Sequence, residues 1–148
     1  MKNVLKILKI SCNLTYVLLN KKTNLKLFYI ENNKVINAPP GTVVDTKVTS
    51  VEYNDFYMIS AKSNQGLPAT IHFQIIYDDK SIAETDFQLL MYKLCFLYYN
   101  WTGSIKVPAP CQYAKKLASL LGDKLSDKRN IFLPNSRFSQ QLKSLYYL

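Results

Sequence analysis

A change in the spacing of apolar residues limits what this chain can fold into more than any other feature. Up to residue 77 they come in short runs closed by turn residues, and from Phe87 onward they recur every three or four positions. Short runs bounded by Asn, Lys, Gly and Pro read as strands, and the later spacing reads as helix. Residues 14–19 (LTYVLL) predict a buried strand and residues 25–30 a second, with a polar turn at Asn20, Lys21 and Lys22 between them. Asn32 and Asn33 mark another turn, and residues 37–41 (NAPPG) end this hairpin region. Residues 42–44, 56–60 and 71–77 predict three further strands. A loop around Gly66 and Pro68 separates the last two, and Asp78 and Asp79 close the last.

Phe87, Leu90, Met91, Leu94, Cys95 and Tyr98 fall on one helical face, and Ser81 with Glu84 has the form of a capping box ahead of them. Pro108 and Pro110 then break the chain and put a second helix start near Pro110. Tyr113, Leu117, Leu120 and Leu121 form its stripe and Gly122 its stop. Residues 1–13 read as the end of a preceding basic helix, and residues 123–148 as irregular. Strands followed by amphipathic helices predict an α/β fold, a sheet with flanking helices. The 148 residues are the size of one domain.

Charge narrows the partners. Nineteen basic against ten acidic residues give a formal net charge of +9, which favours a polyanion. Only Arg129 and Arg137 among the basic residues are Arg, so a lysine-rich coding bias explains the excess as readily. Cys12, Cys95 and Cys111 form no CxxC pair, and with the one His they give no zinc spacing, so free thiols in a reducing, intracellular compartment, cytoplasmic or nuclear, are expected. Lys6, Lys9 and Asn13 interrupt the apolar N-terminal stretch, which argues against a signal peptide. No apolar run approaches the roughly 20 residues of a membrane span, so no membrane partner is expected.

The residues themselves offer little catalytic chemistry. There is no nucleophile triad and no glycine-rich phosphate loop, and Gly41, Gly66, Gly103 and Gly122 stand alone, which gives no small-molecule substrate site. Asp78 and Asp79 end a strand before a helix, where turn and helix-dipole roles are more economical than acid–base work. Asp45 alone reads as a turn-capping residue before Thr46. His72, inside a strand, reads as a packed or hydrogen-bonded histidine.

Four segments together resemble the later half of the Piwi domain of Argonaute proteins, in the family's order. They are residues 39–45 (PPGTVVD), 70–79 (TIHFQIIYDD), 89–101 (LLMYKLCFLYYNW) and 103–114 (GSIKVPAPCQYA). The ending YYL and the YNW triplet resemble the Piwi branch, and the similarity covers about residues 14–148. The resemblance implies a partial ribonuclease H-like fold with a mixed sheet. It also implies a role in RNA silencing, with a single-stranded small guide RNA as partner and a target RNA as a second.

Slicers of the family hold two Mg2+ ions with clustered carboxylates and a fourth ligand, usually His, and hard oxygen donors are what that chemistry needs. By resemblance Asp45 is a catalytic and metal-ligating position, a remnant of an incomplete site. Lys115 stands where His is usual, and an ammonium repels a cation. The isolated chain is therefore expected to be no enzyme and to need no cofactor, with Mg2+ only if missing upstream sequence completes the site. The resemblance implies that Lys106 and Gln112 face the guide backbone; Tyr113 beside them packs or contacts RNA, and Lys115 and Lys116 add RNA-binding charge or form a solvated face, near a helix start whose free N–H groups suit an anion. It also implies that the terminal carboxylate of Leu148 tucks toward the guide end. An RNA-guided endoribonuclease completed by another segment, and a gene fragment or protein-interaction piece, are the alternatives.

Overall fold

The computed structural model of the chain describes residues 7, 9, 11–79 and 82–125. Among the described residues six strands and two helices follow one another: β1 (Thr15–Asn20), β2 (Phe28–Glu31), β3 (Lys34–Asn37), β4 (Val43–Val44), β5 (Asn54–Met58), β6 (Ile71–Asp78), α1 (Glu84–Leu94) and α2 (Ala109–Leu125). Four strands form one sheet in the order β1-β6-β5-β4, while β2 and β3 form a separate hairpin. Every pairing among the described residues is antiparallel.

Register puts the core on one face. Leu19 and Phe56 flank Phe73 on neighbouring strands, Val17 pairs with Ile75, and Met58 pairs with Ile71. Phe56, Met58, Ile71 and Phe73 form the central cluster with Phe87 of α1, Cys95 and Val107, and Val17, Leu19 and Ile75 pack against it. The rings of Phe56 and Phe73 stack at 4.9 Å between centroids, and Phe87 meets Phe56 edge-on at 6.2 Å. Burying a side chain of this kind stabilises the fold by about 1.5–3 kcal/mol.

The turn before β4 requires its glycine. Gly41 has a φ of +91°, its N–H donates to the Ile59 carbonyl at 2.7 Å, and a Cβ there would lie 3.3 Å from the Tyr92 ring. Thr42 closes the turn by donating its hydroxyl to the Pro39 carbonyl at 2.7 Å. The pair Asn32 and Asn33, with φ of 50° and 60°, makes the tight β2–β3 turn.

The helices depart from the sequence reading at their ends. The first begins at Glu84 behind Ala83, which makes no side-chain cap, so Glu84 opens the helix and is not the third residue a capping box needs. Ser81 lies outside the described residues. Asp78 supplies the local acceptor, its Oδ2 taking the Ile82 N–H at 2.9 Å. The second helix passes through Gly122 to Leu125, because an isolated glycine costs a helix only about 1 kcal/mol and adds no steric stop. Of the preceding helix expected over residues 1–13, residues 1–6, 8 and 10 lie outside the described residues, and residues 11–13 are not helical.

Candidate nucleic-acid interface

The connection between the helices, residues 95–108, carries the most promising surface, and it is held at several points. At its start the Cys95 carbonyl accepts the Ile105 N–H at 2.9 Å, and the Trp101 N–H donates to the Tyr98 carbonyl at 3.2 Å. From α2, the Tyr113 hydroxyl donates to the Leu97 carbonyl at 3.1 Å and accepts the Tyr99 N–H at 2.9 Å. The ring of Tyr113 rests 5.3 Å from that of Tyr98, and the Lys116 ammonium stands 5.4 Å from the Tyr98 centroid on the same helix flank.

Beside this connection lies a groove of about 330 Å3, lined by Lys62, Trp101, Ser104, Lys106 and Gln112 among others. It has two lysines and no carboxylate among its described lining residues. Both lysines are exposed, while Ser104 and Gln112 are half-buried. Such a wall offers ammonium charge and neutral donors together, which is what phosphate oxygens accept.

The expected site residues divide. Lys106 and Gln112 come together in the groove. Tyr113 stands on the adjoining helix, but its hydroxyl is already used in both senses to fasten residues 97 and 99. Lys115 is exposed on α2, and Lys116 is half-buried against Tyr98. Leu148 lies outside the described residues. The expectation of free N–H groups at the start of α2 needs correction. Pro108 and Pro110 carry none, and the Cys111 and Gln112 N–H groups both donate to the Pro108 carbonyl, at 3.0 and 3.3 Å.

Asp45 follows β4 and turns to α1, where its Oδ2 accepts the Gln88 side-chain amide at 2.9 Å. No group of three or more His, Cys, Asp or Glu side chains able to hold a metal occurs among the described residues. A single carboxylate cannot hold two Mg2+ ions, so no hydrolytic step follows from the described residues by themselves. His72 bonds through Nε2 to Asp55 Oδ2 at 2.6 Å and stacks on Tyr57 at 4.4 Å, in keeping with a hydrogen-bonded strand histidine. Asp78 and Asp79 hold the end of the sheet: Asp78 Oδ1 accepts the Thr15 hydroxyl at 2.8 Å, and Asp79 accepts from the Leu14 N–H and the Tyr77 hydroxyl.

Sequence reasoning missed Lys62 and Asp55. Neither sits in a local motif, and each joins its partners only through the sheet: Asp55 lies on β5 beside His72 on β6, and Lys62 lies in the loop between those strands. Burial holds the Cys95 and Cys111 thiols above the usual thiol pKa, and Cys95 is fully buried. No helix among the described residues is long and apolar enough to cross a membrane.

Residues 1–126 match the Piwi domain. The chain is 40% identical over 135 residues to Piwi-like protein 1 of Gallus gallus, and 38% identical over 135 residues to protein piwi of Drosophila melanogaster. In both cases this is 91% of the chain and 15% of the relative, so the chain spans about 15% of the length of these curated relatives. Among solved structures it resembles Drosophila Piwi, with a TM-score of 0.71 and 38% identity over 82% of this chain and 16% of that one. It also resembles Kluyveromyces polysporus Argonaute crystallised with a guide RNA, with a TM-score of 0.67 and 28% identity over 72% of this chain and 14% of that one.

Proposed function

This chain belongs to the Piwi-domain family of Argonaute proteins, with its ribonuclease H-like fold, and on that premise we propose that it holds the backbone of a single-stranded small guide RNA in RNA silencing. The observation that carries the reading is the convergence of Lys62, Lys106, Ser104 and Gln112 on one groove. Two ammonium groups and two neutral donors in a single channel suit successive phosphates and carry no base-edge code, so binding sets register while the guide's bases read the target. The Lys115 and Lys116 ammoniums on α2 add to the positive field beside it. The net charge of +9 acts in the same direction. A relative solved with a guide RNA supports the choice of ligand.

The donor set does not favour the rival reading, a nuclease completed by other sequence. Asp45 accepts a hydrogen bond from Gln88, and Lys115 is a cation at the position where the family resemblance expects a metal ligand.

The test is fluorescence anisotropy with a labelled single-stranded RNA of ten nucleotides, comparing Lys106→Glu with Lys26→Glu, an exposed lysine outside the groove. Both variants change net charge equally. Lys106→Glu is expected to weaken binding well beyond Lys26→Glu; equal losses would show that charge alone, and not this groove, binds the strand.

A further inference from the structure

Trp101 is the one tryptophan of the chain, and its placement is unlike that of a core residue. It is 62% exposed, yet it forms part of the wall that carries Lys62 and Lys106. A large indole left in water at the rim of a cationic groove gains nothing for folding. It is also not loosely placed. Its backbone N–H is bonded to Tyr98, and the residues before it are fastened by the Tyr113 hydroxyl. The pyrrole edge of the indole rests against Gly103: a Cβ added there would come within 3.1 Å of Nε1 and 3.6 Å of Cδ1. No positive φ accounts for this glycine, so close approach of the ring is the reason for it that the structure offers.

We propose that Trp101 is a stacking platform for one unpaired base, or unstacked end base, of the strand whose phosphates lie along Lys62 and Lys106. This rests on the backbone-binding reading above and extends it from phosphate to base. The chemistry is sequence-tolerant, since every base has a π-face, and it requires a single strand, since a paired and stacked base has no face to offer. Gly103 is a positioning residue, leaving the space that the indole edge fills. The site therefore takes a single-stranded oligonucleotide with bases, and it discriminates against a duplex and against an abasic strand of equal charge.

The experiment uses the full chain, with affinities read by the anisotropy of labelled probes and stacking read by the intrinsic fluorescence of Trp101, the one tryptophan of the chain. Three ten-nucleotide probes are titrated: a single-stranded RNA, its duplex with a complementary strand, and an abasic oligomer with the same number of phosphates. The single strand is expected to quench the emission and to bind roughly 5- to 150-fold more tightly than the abasic oligomer, the range for one stacked base. Gly103→Val is expected to abolish the quench and most of that preference while leaving abasic binding unchanged. Trp101→Phe is expected to retain part of the preference and Trp101→Ala none. Equal affinity for the natural and abasic strands, with emission unchanged on binding, overturns the platform and leaves the phosphate groove intact. Failure of every probe to bind overturns both.

Discussion

Removing one oxygen atom separates the two roles open to Tyr113. Tyr113→Phe keeps the ring against Tyr98 and deletes only the hydroxyl that bridges Leu97 and Tyr99. Two hydrogen bonds are lost, each worth about 0.5–1.5 kcal/mol net. Both are exposed, so water replaces the lost partner and each falls at the low end; the sum is about 1 kcal/mol. For a chain of this size that is a fall in Tm of roughly 2–4 °C. Urea unfolding followed by circular dichroism reads the change as a lower midpoint with an unaltered slope. Because the hydroxyl is used within the protein, the salt dependence of RNA affinity is expected to stay as in the parent chain. A variant of unchanged stability that binds RNA more weakly would refute this reasoning and return Tyr113 to direct contact with the strand.

Other perturbations test the core, the aspartate and the thiols. Phe73→Ala removes the centre of the aromatic cluster at a fully buried site and is expected to cost about 3–5 kcal/mol by urea unfolding. Asp45→Ala leaves the buried Gln88 amide without its acceptor and is expected to cost about 1–3 kcal/mol, with RNA affinity retained once the fold is stabilised by osmolyte. The raised pKa values of Cys95 and Cys111 have a sign. Above the ordinary thiol pKa the unfolded chain releases protons that the folded chain keeps, so stability is full below that pH and falls as pH rises toward the folded values. Melts between pH 7 and pH 10 check it, and Cys95→Ser with Cys111→Ser is expected to flatten the decline.

The strand-forming part of the fold was legible because its signals are local. Apolar runs closed by Asn, Gly and Pro gave β1, β4, β5 and β6 to within a few residues of their bounds, and the 3–4 spacing gave α1. The strand Lys34–Asn37 was not foreseen; only its valine and isoleucine are apolar and it is mostly exposed, so it has no core pattern to betray it. Helix ends were misread where composition imitates a signal: Gly122 resembles a stop yet sits inside α2, and Ser81 with Glu84 resembles a cap although the helix opens at Glu84. Of the groove, Lys106 and Gln112 were visible through the family resemblance of their segment. Lys62 was not, because it joins them only once the loop between β5 and β6 is laid beside the helix connection. Asp45 was visible through its motif, while its partner Gln88 was not, because the two meet only when α1 packs beside the end of β4.

The salt dependence of single-stranded RNA affinity, compared between the parent chain and Lys62→Gln with Lys106→Gln, examines the phosphate groove most directly. Each phosphate contact on a single strand contributes a slope of about −0.7 in log affinity against log salt. Loss of both ammoniums is expected to reduce the slope by roughly 1.4, with weaker binding at every salt concentration. An unchanged slope would mean that the strand, if it binds this chain at all, does not lie between Lys62 and Lys106.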